Sequence, residues 1–126
     1  MAQVVFNNPE KLKKLNSIVH PAVGKDFEEW TARQKTNLVF KEAAILFETG
    51  IYRTLDAVIL VTAPLQIRIE RVMQRDSASQ QEVKNRMKNQ WTDEKKKKLA
   101  QFTIDNSGKI MVIPQVSNII SEIKKT

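Results

Sequence analysis

Residues 57–62 read AVILVT, an apolar run without alternation, and Pro64 follows two positions later. A strand with one wet face alternates apolar and polar side chains, whereas a parallel strand covered on both faces does not. Proline suits the first position of a helix, where its missing N–H goes unused. The two features predict a buried parallel strand that feeds directly into a helix. Leu65, Ile69, Val72 and Met73 mark the buried stripe of that helix. Arg68, Arg71 and Arg75 fall together on its flank, roughly 110° from the stripe at helical spacing.

Other elements follow from start and stop signals. Asn8 can cap a helix beginning at Pro9, with Leu12, Leu15, Ile18 and Val19 on one face, and Pro21 is expected to break it at His20-Pro21. Val23, Phe27 and Trp30 then mark a second, angled helix. A short strand is expected at about Leu38 to Glu42, followed by an apolar turn of helix ending near Gly50. Ser79 and Glu82 have the spacing of a capping box for a helix through about Asn89. Thr92, with Asp93 and Glu94, starts another helix that runs through the lysine cluster. A last strand is expected near Phe102 to Ile104, then a turn at Asn106 to Gly108 and a helix from about Pro114. Strands alternating with helices make an α/β chain with a small parallel sheet. The polar helices of residues 79–98 read as a flap upon it.

Charge narrows the chemistry. The formal charge is +7 over 126 residues, but residues 66–98 hold ten Lys/Arg against five Asp/Glu. A positive potential gathered in one segment suits a local anion site, while nucleic-acid binders more often spread basic groups over a broad face. No cysteine is present and only one histidine, which excludes disulfides and thiolate metal sites and makes no case for zinc. No segment has the length of a membrane span or the order of a signal peptide, so a cytoplasmic protein is expected.

In an open parallel sheet, ligands gather outside the carboxyl ends of the strands. The strand at 57–62 delivers the arginine helix to that edge, and guanidinium groups bind phosphate bidentately or stack on bases. A solvated helix face is the plainer account of such a stripe. His20, at a proline break, can face a ligand or bond a free carbonyl. Glu48, after the apolar run AAILF, can orient a ligand or stand as a surface carboxylate. The four lysines at 95–98 read as a solvated face with Leu99 and Ala100 turned inward. Gly24-Lys25 does not make a phosphate-binding P-loop, because Val19 and Asp26 occupy the places of its first glycine and its Ser/Thr.

Five segments in order, NPEKLKKLNSIVHPAV, ILFETGIY, DAVILVTAP, ERVMQRDSASQQEVKNRMKNQW and FTIDNSG, resemble the dephospho-coenzyme A kinases. The resemblance implies a P-loop kinase-like three-layer fold with a parallel sheet and a helical lid. It implies transfer of phosphate from ATP, with magnesium, to the ribose 3'-hydroxyl of dephospho-coenzyme A. Within one partial kinase domain spanning 1–126, residues 9–35 would be substrate-side helices, about 66–98 the arginine helix and lid, and 99–126 the last strand and helix. The family's His-Pro falls on His20 and Pro21, and its Leu-Leu-x-Glu on Ile45, Leu46, Phe47 and Glu48, on the substrate side. Its lid Arg-x-x-x-Arg-Asp falls on Arg71, Arg75 and Asp76, the first arginine along adenine and the second reaching the phosphates. Arg86 and Gln90 match the lid's returning helix, and Asn106 and Gly108 the turn that reads the adenine edge.

Ala44, Arg68 and Gln101 depart from the family's usual proline, glutamine and aspartate. The family's P-loop and proposed base aspartate would precede residue 1, so the resemblance implies a C-terminal portion, incomplete at the N-terminus. No catalytic residue is expected within it, and the chain alone is expected to be inactive. An exposed sheet edge would favour self-association. The alternative, a non-catalytic basic module for anions or nucleic acid, rests on net charge and leaves the strand-to-arginine-helix geometry without a reason.

Overall fold

A computed structural model describes residues 8–125, which fall into two compact units, up to Lys41 and from Glu42 onward. The first unit is built on one helix, α1 (Pro9–Ala32). The Asn8 side chain accepts from the Lys11 N–H and Pro9 occupies the first turn, as the sequence predicts. The expected break at His20-Pro21 is absent: α1 runs through Pro21 without interruption. An interior proline deletes one backbone donor and crowds the preceding turn, at a cost of about 3 kcal/mol, which can kink a helix without ending it. Phe27 and Trp30 stack at 5.8 Å between ring centroids, and the Lys41 ammonium lies 4.2 Å from the Phe27 ring centre.

In the second unit the expected strand at 38–42 is also absent; that stretch, which crosses the unit boundary, has no regular structure. Residues 44–49 form a compact turn with a single helical bond, from the Thr49 N–H to the Ile45 carbonyl, and Gly50 reverses the chain at φ 78° into a short 3-10 helix, Ile51–Thr54. Only Phe47 of this apolar turn is fully enclosed, against Tyr52 at 5.3 Å.

The sheet of the described residues has two strands, β1 (Ile59–Thr62) and β2 (Phe102–Asp105). They are parallel, as the lack of alternation predicts, with Ile59 opposite Phe102 and Thr62 opposite Asp105, but the burial expected on both faces is absent: Val61 is exposed and the other three β1 residues are half-buried. Helix α2 (Leu65–Asp76) follows β1 with Pro64 at its N-cap, one position outside the expected first turn. Helix α3 (Gln80–Met87) opens with the expected capping box, in which Ser79 and Glu82 satisfy each other's backbone. Thr92 caps α4 (Asp93–Lys97), and α5 (Val112–Ile123) closes the chain, starting two residues before the expected Pro114. Phe47, Val58, Ile69, Val83, Ile104 and Ile119 form the core of the described residues, so β2, α2, α3 and α5 each contribute one apolar anchor and Val58 adds one just before β1.

Two glutamines fasten the sheet's ends. Gln101 extends the β2 ladder by accepting the Val58 N–H through its side chain, while its own N–H and that of Phe102 reach the Val58 carbonyl. At the other end Gln115, on α5, accepts the Asp105 N–H and donates to the Asp105 and Met111 carbonyls.

Candidate functional site

The carboxyl ends of β1 and β2 open into a cleft of about 550 Å³ whose walls include Thr62, Arg68, Asp93, Lys97, Asp105 and Ser107. Its floor is set by the sheet register, which carries Thr62 and Asp105 to the same level. Beyond Asp105 the chain turns sharply. The Asp105 carboxylate accepts the Ser107 N–H at 2.7 Å, the Asn106 N–H reaches back to the Thr62 carbonyl at 2.7 Å, and Gly108 takes φ 90°. An L side chain is strained at that φ, so glycine fits the position for backbone reasons. The Ser107 N–H and hydroxyl, with Lys109 and Lys97 nearby, hold the Asp105 carboxyl below its ordinary range.

Arg71 crosses from α2 to this turn and donates to the Asn106 carbonyl at 2.7 Å. Gly108 lies alongside, since a Cβ built on it would stand 4.0 Å from the Arg71 guanidinium. The structure therefore brings Arg71, Asn106 and Gly108 together, with the guanidinium exposed and pinned at one corner. A planar cation beside backbone polar groups can offer a face to an aromatic base while the turn meets its edge.

Arg75 and Arg86 converge separately. Both bond the carboxylate of Asp76, Arg75 through Nε at 2.7 Å and Arg86 at 2.8 Å. Arg75 first and Arg86 second pull the Asp76 pKa down to about 2. Both arginines remain largely exposed and can exchange this carboxylate for phosphate oxygens. The stripe of three is thus divided by partner: Arg68 bonds Asp93 at 3.1 Å, Arg71 the turn, and Arg75 the end of its own helix.

Glu48 is turned inward. One oxygen accepts both the Trp91 N–H at 2.6 Å and the Lys96 ammonium at 3.0 Å. Burial, the largest influence, raises its pKa, but the Trp91 N–H, its own backbone N–H and Lys96 together outweigh that and leave it below the ordinary value. The lysine run is correspondingly not a uniform solvated face: Lys96 is buried at 7 % exposure, and Lys95 lies 3.3 Å from the Trp91 ring centre. Leu46 is half-buried beside this pair in sequence. His20 and Pro21 stand exposed on α1, in the first unit. Sequence reasoning missed Lys96, Gln101 and Gln115 as organising residues; the four-residue spacing from Thr92 to Lys96 was the one available signal, because it sets which lysine shares the cap's side of α4.

Among the described residues no three His, Asp or Glu side chains gather to hold a cation. No helix among them is long and apolar enough to cross a membrane.

A family model described as dephospho-CoA kinase matches residues 1–111. The chain is 42% identical over 111 residues to the dephospho-CoA kinase of Chlorobium chlorochromatii, covering 86% of this chain and 52% of that protein. It is 34% identical over 122 residues to the dephospho-CoA kinase of Bacteroides fragilis, covering 96% of this chain and 60% of that one. A crystal structure of a Thermus thermophilus protein superposes with a TM-score of 0.86 at 37% identity, over 96% of this chain and 64% of the other. The chain thus spans little more than half the length of the curated relatives it matches.

Proposed function

The chain belongs to the dephospho-CoA kinase family, and from that premise we propose that residues 42–125 hold ATP for phosphorylation of the 3'-hydroxyl of dephospho-coenzyme A. The observation that carries this reading is the bond from Arg71 to the Asn106 carbonyl, which joins the arginine helix to the Gly108 turn. In the proposal, adenine lies along the Arg71 guanidinium with its edge at Asn106 and Gly108. Arg75 and Arg86 leave Asp76 for the phosphate oxygens, where their charge offsets the negative charge of the transferring group.

Phosphoryl transfer depends on positioning and on charge stabilisation, and the glycine-rich phosphate cradle that does most of this in P-loop kinases is not among these 126 residues. The proposal therefore gives this chain the lid and adenine turn, and gives the phosphate cradle and base to the remainder of a family-length kinase. His20, Pro21 and Leu46 are proposed to serve the coenzyme A side, and Glu48 to hold Trp91 and Lys96 in place. Magnesium would accompany the nucleotide's phosphates, and the cytoplasm is the proposed setting.

Photolabelling with 8-azido-ATP tests the site. Adducts at Arg71 or within residues 106–109 that unlabelled ATP suppresses are the expected result. Labelling confined to other segments, or insensitive to ATP, would contradict the assignment.

A further inference from the structure

Glu48 and Lys96 lie 48 positions apart and meet at 3.0 Å with their side chains 13% and 9% exposed. The second Glu48 oxygen is buried without a hydrogen-bond partner. A buried ion pair is weak evidence for stability, because removing two charges from water costs about as much as their attraction returns. What such a pair does supply is a fixed relative position for the segments that carry it.

The pair stands where the 77–90 excursion returns. The chain leaves α2 at Ser77, at φ 52°, forms α3, and returns at Trp91, whose N–H donates to Glu48. At its departure, the excursion is tied by the exposed Asp76–Arg86 pair at 2.8 Å and by buried Val83. At its return it is tied by the Trp91 N–H, Lys95 over the Trp91 ring, and Lys96 on Glu48. The two ties differ in kind: phosphate can displace a carboxylate from exposed arginines, while an enclosed pair is out of its reach.

We propose that Glu48 and Lys96 are positioning residues, forming the fixed post about which residues 77–90 turn when Arg75 and Arg86 exchange Asp76 for phosphate. The post keeps Trp91 stationary, so the excursion rotates and delivers Arg86 to the nucleotide instead of detaching. This rests on the kinase reading for its purpose, and on the observed contacts alone for its mechanics. It also moves Glu48 from the wall of a substrate cleft to the support behind the lid.

Amide hydrogen exchange on the 126-residue chain tests the mechanics, with Glu48→Gln, Lys96→Met and the double variant. The double variant leaves no buried charge unpaired, and the amide introduced by Glu48→Gln still offers an oxygen to the Trp91 N–H, so it decides the matter where a single variant fails to fold. The expected result is exchange at least about tenfold faster across residues 80–92 with the rates of 59–62 and 102–105 unchanged. Unchanged exchange in 80–92, or an equal rise in both regions, would overturn the proposal, the latter because it marks a loss of global stability only.

In the chain joined behind the family's P-loop segment, the double variant is expected to lower kcat about tenfold with KM for ATP held within about twofold, and Lys96→Arg alone, which keeps a cation on Glu48, to retain kcat. A rise in KM with kcat unchanged would overturn the positioning role. If the wild-type joined chain forms no coenzyme A, the kinase reading falls, and the exchange experiment alone judges the post.

Discussion

Arg71 donates to the carbonyl oxygen of Asn106 at 2.7 Å, so a helix side chain and a turn 35 residues later share one bond. The bond fixes the guanidinium plane against the turn without burying it. It depends on a chain of backbone contacts: the β1–β2 register sets Asp105, Asp105 caps Ser107, and Gly108 completes the reversal. The adenine-side proposal stands on that geometry.

Arg71→Lys preserves charge and removes the planar fork. In the chain joined behind the P-loop segment, KM for ATP is expected to rise about tenfold, roughly 1.4 kcal/mol of lost contact. An unchanged KM would remove adenine stacking from the account.

Much of this fold is legible in the sequence. The unalternating run at 57–62 marked β1 as a parallel strand, and the Ser79–Glu82 and Thr92 caps located α3 and α4, because these signals are local and short-ranged. The break at Pro21 was not legible correctly, since a proline's local cost does not say whether the helix on either side outweighs it. The strand expected at 38–42 failed for a related reason. A strand is a pairing, and residues 38–42 contain nothing that reports whether a partner lies alongside.

At the site, Arg71, Asn106 and Gly108 were found by their segments' likeness to a family, and the geometry joins them. In sequence Lys96 reads as part of a solvated face and Glu48 as a substrate-side or surface carboxylate, and neither reading foresees their pairing. Their pairing spans 48 positions, and a run of four lysines looks the same in sequence whether or not one of them points inward.

Asp76 gives a pH test. Its folded pKa, about 2, lies below the ordinary 3.8, so the contact's contribution is fully present above about pH 4 and is lost as pH falls toward 2. The carboxyl carbon shift of Asp76 should titrate with a midpoint near 2. Removing Arg75 should move that midpoint toward 3.8 more than removing Arg86, since Arg75 is the larger cause. A midpoint near 3.8 in the wild-type chain would show that the arginines do not rest on Asp76.

Arg75→Ala addresses the phosphate side. In the joined chain it is expected to lower kcat about a hundredfold while KM for dephospho-coenzyme A changes by less than about threefold, because a group that meets charge developing in the transition state contributes there and little in the ground state. An unchanged turnover number would exclude Arg75 from phosphate stabilisation.

The central claim is that these residues form the nucleotide-holding part of a dephospho-CoA kinase and depend on a phosphate cradle outside them. Its most direct measurement is coenzyme A formation from ATP and dephospho-coenzyme A, followed chromatographically for the 126 residues alone and for the same residues joined behind the family's P-loop segment. The account predicts no product from the 126 residues and steady turnover from the joined chain. Turnover by the 126 residues alone, or a folded joined chain that binds ATP and forms no product, would contradict it.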